Sequence, residues 1–81
     1  MQKTEYQIHL HMVPNNTYGV AHFDDPAEAA IYFTSLIADL LLALPQIADA
    51  DWLSDEHVHL LGLDGSIIAH ATIVFETITL H

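Results

Sequence analysis

The chain has 81 residues and a formal net charge of −10, because eleven carboxylates face a single basic residue, Lys3. A protein with so few Lys or Arg side chains cannot bind nucleic acid by neutralising phosphates. The composition therefore excludes direct nucleic-acid binding. It also predicts attraction to basic protein surfaces, whose encounter such a field accelerates.

Length and hydrophobicity predict one small domain, residues 1–81, with apolar residues to spare. The chain is 52% hydrophobic, and a domain this small has little interior in which to bury them. Apolar surface left exposed favours an interface, so a homodimer is expected. The absence of cysteine excludes disulfides and thiolate chemistry.

No segment indicates export or membrane insertion. The first residues lack the layout of a signal peptide. The most apolar stretch, residues 29–44, is interrupted by Asp39 and is shorter than the roughly 20 residues of a membrane span. We therefore expect a cytoplasmic protein that does not contact membranes.

The N-terminal third predicts a β-hairpin. Residues 6–13 alternate between apolar and polar side chains, which is typical of a half-buried strand. Residues 14–17 have the composition of a turn. Residues 18–23 then predict a second strand that pairs with the first.

A helix follows, with the clearest local signal in the chain. Asp25 is placed as N-cap, Pro26 as the first helical residue and Glu28 as the reciprocal partner of a capping box. The helix is predicted to reach about Leu44, before Pro45. Its polar positions form one narrow stripe, and the remaining circumference is more apolar than one sheet can cover. These positions are Glu28, Tyr32, Ser35 and Asp39.

The rest of the chain predicts an irregular acidic connection, residues 45–55, and a terminal hairpin of residues 56–63 and 66–80. Asp64 and Gly65 indicate a two-residue turn between its strands. The expected architecture is α+β with the order ββαββ, an antiparallel sheet with one long helix packed on one face.

That turn sets a testable register in the terminal hairpin. If Leu63 opposes Ser66, then His59 opposes His70 and His57 opposes Thr72. The face towards the helix then carries Val58, Leu60, Ile67, Ala69, Ala71, Ile73 and Phe75. The other face carries His57, His59, Leu61, Ile68, His70 and Thr72.

The end of the last strand needs a further partner. The apolar pattern changes phase towards Ile78, which predicts a bulge near residues 76–77. The strand is also longer than residues 56–63, so its distal half is expected to pair with the first strand or with a second subunit.

Seven histidines are unusual in a chain of this length. Strand periodicity places six of them on the sheet face away from the helix, with His81 left over. Three interpretations remain open: amphipathic surface residues, a pH-dependent or partner-contacting surface, and a metal site. The sequence predicts no cofactor, and the metal site is the alternative. Its candidate ligands are His9, His11, His57, His59 and His70.

Nothing in the sequence predicts an enzyme. No serine lies in a nucleophile elbow, and no glycine-rich phosphate loop is present. A histidine beside Asp24, Asp25 or Asp55 would make an acid–base couple. An acidic, histidine-rich sequence offers such pairs by chance, so we predict a non-catalytic protein.

The acidic connection is the candidate partner-binding site. An aromatic side chain flanked by carboxylates is typical of an interface anchor with a charged rim. The site comprises Asp49, Asp51, Trp52, Asp55 and Glu56. The carboxylates around Asp25 are instead explained by helix capping and the helix dipole.

These observations favour a small inhibitor that docks on the basic, nucleic-acid-binding surface of a larger partner, by DNA mimicry. Host nucleases and CRISPR or restriction complexes carry such surfaces. In composition alone the chain is similar to the small acidic anti-restriction and anti-CRISPR proteins of phages. The alternatives are a homodimeric structural module and a histidine-rich metal-binding protein.

Overall fold

The computed structural model describes residues 2–79, which form a five-stranded antiparallel sheet with one helix. The α+β class is confirmed, but the order ββαββ is wrong, because three strands follow the helix. The elements are β1 (Gln2–Met12), β2 (Thr17–Phe23), α1 (Pro26–Ala43), β3 (Asp49–Ser54), β4 (His57–Leu61) and β5 (Ile67–Thr79).

The additional strand, β3, lies where an irregular connection was predicted. Asp and Ala are depleted in strands, so this segment has a low β-propensity. It nevertheless pairs with β4, with Trp52 opposite Val58 and Asp51 opposite His59. Two apolar side chains on the helix side, Ala50 and Trp52, outweigh the propensity of the aspartates.

The first and last strands form the centre of the sheet, whose order is β2-β1-β5-β4-β3. β1 pairs with β5 without interruption from Gln2 opposite Thr79 to Met12 opposite Ala69. The bulge predicted near residues 76–77 is therefore wrong: Ile78 takes the position opposite Lys3, on the face away from the helix. The distal half of β5 therefore pairs with β1, whose partners on that strand run from Ala69 to Thr79.

In the β4–β5 hairpin the predicted pairs His59 with His70 and His57 with Thr72 are confirmed. The predicted two-residue turn is wrong. The Gly62 N–H donates to the Ser66 carbonyl at 2.9 Å, which leaves a three-residue loop. Gly65 ends this loop at φ 82°, a conformation that glycine adopts without steric cost.

A bulge restores the predicted register after the longer loop. Leu61 pairs with Ile67 and Leu60 pairs with Ala69, so Ile68 is the additional residue. The bulge reverses the predicted orientation of two side chains: Ile68 packs against the core, and Ile67 is 42% exposed. The turn and the bulge shift the register in opposite directions, and their effects cancel from Leu60 onwards.

Helix α1 begins as predicted. Asp25 is the N-cap, and its carboxylate accepts a hydrogen bond from the Ala27 N–H at 3.0 Å. Pro26 occupies the first turn, and Leu44 is the C-cap. The reciprocal bond predicted from Glu28 is absent among the described residues, so Glu28 acts through its charge near the helix N-terminus.

The core lies between one stripe of the helix and the inner face of the sheet. Ala29, Phe33 and Ile37 are the buried helix residues, and full burial of a large apolar side chain contributes about 1.5–3 kcal/mol. They join buried residues of the sheet and of the connection after the helix: Ile8, Ile47, Val58, Leu60, Ala69 and Ala71. Phe75, predicted in this core, is 67% exposed, because it lies at the end of the sheet where β2 stops.

Much of the helix remains uncovered, as its composition predicts. Ile31 is 67% exposed and Leu42 is 87% exposed. With 18 residues and a mean hydropathy of 1.4, the helix also has the length and composition of a membrane span. In this fold its buried stripe packs on the sheet.

Candidate functional site

The face of the sheet opposite the helix carries six histidines, and we call it the histidine face. Because strand side chains alternate, the residues that oppose one another across β2, β1, β5 and β4 share this face. Its histidines are His9, His11, His22, His57, His59 and His70. All except His22 are half-buried, as the sequence predicts for this face, and His81 lies outside the described residues.

One row of side chains crosses all five strands of this face. In register, its members are Tyr18, His11, His70, His59 and Asp51. Neighbouring strands lie about 4.8 Å apart, so the row is roughly 19 Å long. A phenol therefore stands at one end, a carboxylate at the other and three imidazoles between them.

One part of the histidine face consists of the side chains of β2 and β1 together with the adjoining His70 of β5, and we call it the β2–β1 half. Its side chains hydrogen-bond to one another. His9 contacts the Tyr18 hydroxyl through Nδ1 at 2.7 Å and the side-chain amide oxygen of Gln7 through Nε2 at 2.9 Å. His11 contacts Nε2 of His70 through Nδ1 at 2.9 Å and the side-chain amide oxygen of Asn16 through Nε2 at 2.8 Å. Both nitrogens of His9 and of His11 are thus occupied.

These contacts determine the tautomers. An amide oxygen only accepts, so Nε2 of His9 donates to Gln7 and Nε2 of His11 donates to Asn16. The Nδ1 atoms must then accept, from the Tyr18 hydroxyl and from Nε2–H of His70 respectively. The network is complete with every imidazole neutral.

Burial lowers the pKa of His70 below its ordinary value, and the charges that His11, His59 and His57 would carry lower it further. His70 therefore remains neutral to a lower pH than a free imidazole. It borders a cavity of about 240 Å³ on this half of the face. The cavity is lined by His9, His11, Tyr18, His70, Thr72 and Val74.

The β4–β3 half is arranged differently. His57 and His59 lie edge to face, with ring centroids 4.9 Å apart. Neither ring makes a side-chain hydrogen bond to another residue within positions 2–79. Asp51 is directly opposite His59 on the edge strand, and Asp49 is opposite Leu61. Two imidazoles with free nitrogens therefore lie beside exposed carboxylates.

The predicted partner-binding residues do not form one surface. Asp49 and Asp51 belong to the histidine face, and Asp55 and Glu56 form the connection to β4. Trp52 points to the opposite side, where its ring stands edge-on to Phe33 with centroids 5.7 Å apart. It is 45% exposed and anchors β3 to the helix. Residues 49–52 alternate between acidic and apolar side chains, a pattern that indicates a strand with the aspartates on one face and Trp52 on the other. The low β-propensity of aspartate hid this pattern in the sequence.

Lys3, the only lysine in the chain, lies on β1, away from the edge strand β3, and forms an ion pair there. Its Nζ lies 2.8 Å from a carboxylate oxygen of Asp24, and that hydrogen bond raises the pKa of Lys3. His22 contacts Glu5, whose pKa is lowered by this bond. Among the described residues, the histidine–carboxylate contact thus involves Glu5, whereas the sequence suggested Asp24, Asp25 or Asp55.

Among the described residues no group of three His, Asp or Glu side chains is placed to hold a metal ion. His11 and His70, whose ring centroids are 4.9 Å apart, hydrogen-bond to each other. Comparisons with protein families, curated proteins and solved structures give no match for this chain. Its function is therefore inferred from the site alone.

Proposed function

We propose that the protein is a non-catalytic cytoplasmic inhibitor that docks on a basic, nucleic-acid-binding surface of a larger partner, such as a nuclease or a CRISPR or restriction complex. One observation carries this proposal. Four carboxylates lie on the edge strand β3 and in the turn that follows it, at Asp49, Asp51, Asp55 and Glu56, while the only lysine pairs with Asp24. The edge is acidic without a fixed counter-charge.

The spacing of these groups suits a basic partner. Residues two apart on a strand lie about 6.6 Å from each other on the same face, which is within the Debye length of about 8–10 Å. The fields of Asp49 and Asp51 therefore add. A surface that evolved to hold the phosphate row of DNA would receive such a row of carboxylates, which is the basis of DNA mimicry.

Charges on an edge strand also prevent pairing with the edges of other sheets, a role in which lysine is frequent. One charge suffices for that role. Here both charged residues of β3 are aspartates, and two further acids follow at the turn. Protection of the edge alone does not account for the uniform sign.

The test compares two variants of equal charge. Asp49→Asn/Asp51→Asn/Asp55→Asn/Glu56→Gln neutralises the edge. The matched control, Glu28→Gln/Asp39→Asn/Asp64→Asn/Glu76→Gln, neutralises four acids elsewhere, so the net charge of each changes from −10 to −6. Each is used to capture partners from lysate of the source cell, and the association rate of the captured protein is measured at low and high salt.

We expect the edge variant to lose the partner and the control to retain it. Salt should slow association, and a DNA duplex should displace the protein from its partner. Equal binding of the two variants would overturn the assignment of the edge. Capture of a partner that DNA does not displace would overturn the mimicry.

A homodimeric module is a second candidate, favoured by the uncovered flank of the helix. Ile31 and Leu42 are exposed on it, and residues 29–38 carry no charged side chain. Light scattering tests this candidate: wild type should have twice the chain mass, and Ile31→Asp should restore the monomer. A monomeric wild type at 100 µM would exclude it.

A further inference from the structure

The histidine face is the side of the sheet opposite the helix. In its β4–β3 half, the ring nitrogens of His57 and His59 make no side-chain hydrogen bond within residues 2–79. His57 and His59 are half-buried and perpendicular to each other, with an angle of 86° between the ring planes. Asp51 stands directly across from His59. This combination presents ring surfaces, acceptor nitrogens and a carboxylate to one incoming group.

Among basic side chains, arginine fits these partners better than lysine. The planar guanidinium stacks on aromatic rings and donates in pairs to a carboxylate, whereas the ammonium group of lysine is a compact, strongly hydrated charge. Neutral imidazoles also present an acceptor nitrogen to its N–H groups. Charge complementarity therefore selects a basic occupant, and the rings select arginine.

We propose that His57, His59 and Asp51 form the seat of an arginine side chain from the basic partner, so that the partner docks across the β4–β3 half of the histidine face. This inference rests on the proposed function. It adds the docking surface, which is opposite the helix, and the chemistry of the partner residue that binds there.

Two probes of equal charge test the seat: octa-arginine and octa-lysine peptides, titrated into ¹⁵N-labelled protein at pH 7.5 and low salt. Ring stacking predicts that octa-arginine binds about tenfold more tightly. Its largest amide shifts should fall at residues 51 and 57–59. His57→Gln/His59→Gln should reduce the affinity for octa-arginine to that for octa-lysine.

The matched control is His9→Gln/His22→Gln, on the β2–β1 half, which should leave both affinities unchanged. The amide spectrum of each variant shows whether it is folded, and Asp51→Asn provides a second test by weakening octa-arginine most. Equal affinities for the two peptides would overturn the seat and leave the proposed function standing. Absence of binding by both peptides would overturn both. Shifts centred on the helix N-terminus, at residues 24–28, would also overturn the seat.

Discussion

The two halves of the histidine face carry the same residue type in opposite states. In the β2–β1 half, each ring nitrogen of His9 and His11 has a partner. In the β4–β3 half, His57 and His59 contact each other edge to face and have Asp51 as their neighbour across the strands. The first half is closed by its own hydrogen bonds, and the second is open to an external group.

The difference shows that histidines clustered on one sheet face can have either a stabilising or a binding role. Polar groups that satisfy one another contribute to the stability and rigidity of the sheet. Polar groups that are partly desolvated and unpaired favour a ligand that supplies the missing contacts. The following three changes separate these roles, beginning with the largest expected effect.

Trp52→Ala should weaken the packing of β3 against the helix. Complete burial of Trp is worth about 3–5 kcal/mol against alanine, and Trp52 is 45% exposed, so we expect the free energy of unfolding to fall by about 2 kcal/mol. Hydrogen exchange should accelerate in β3 and remain slow in β1. Leu53→Ala, on the other side of the strand, is the control. An equal loss in both variants would show that Trp52 is not the anchor of β3.

His11→Leu and His59→Leu compare the halves at two positions of the same row. His11→Leu removes hydrogen bonds to His70 and Asn16, so chemical denaturation should show a loss of about 1 kcal/mol. His59→Leu removes none among the described residues, and its effect should remain within about 0.5 kcal/mol. Equal losses would contradict the distinction between a closed and an open half.

The smallest effect concerns pH. The pKa of His70 is lowered in the folded protein, chiefly by burial, so below about pH 6.5 the unfolded chain binds a proton that the folded chain resists. The stabilisation from neutral His70 is complete above that pH and is lost as the pH falls through the lower, folded pKa. Denaturation curves at pH 7.5 and pH 5 should show a smaller drop for His70→Gln than for wild type. Identical drops would exclude His70 as a contributor.

Local signals in the sequence predicted much of this fold. The capping residue Asp25 and the hairpin of β1 and β2 follow from short-range chemistry, and the structure confirms both. The sequence also placed six histidines on one face, because side-chain alternation needs only the strand itself.

Long-range and compensating features were not predictable in this way. β3 was missed because its aspartates have low β-propensity, whereas its pairing with β4 and the packing of Trp52 on Phe33 are long-range contacts. The loop at Gly65 and the bulge at Ile68 shift the register in opposite directions, so the correct pairing was reached through a wrong turn. The division of the histidine face depends on which side chains meet across strands, and no local pattern contains it.

The central pairing of β1 with β5 has a consequence for how the chain acquires its structure. Residues 2–12 and 69–79 are registered partners, so the two middle strands come from distant parts of the sequence. Contacts of such high sequence separation slow folding. At about 5–20 residues per second, the first hairpin and the apolar helix are synthesised seconds before residues 69–79. Until residues 69–79 are made, β1 lacks its central partner and offers an unpaired strand edge.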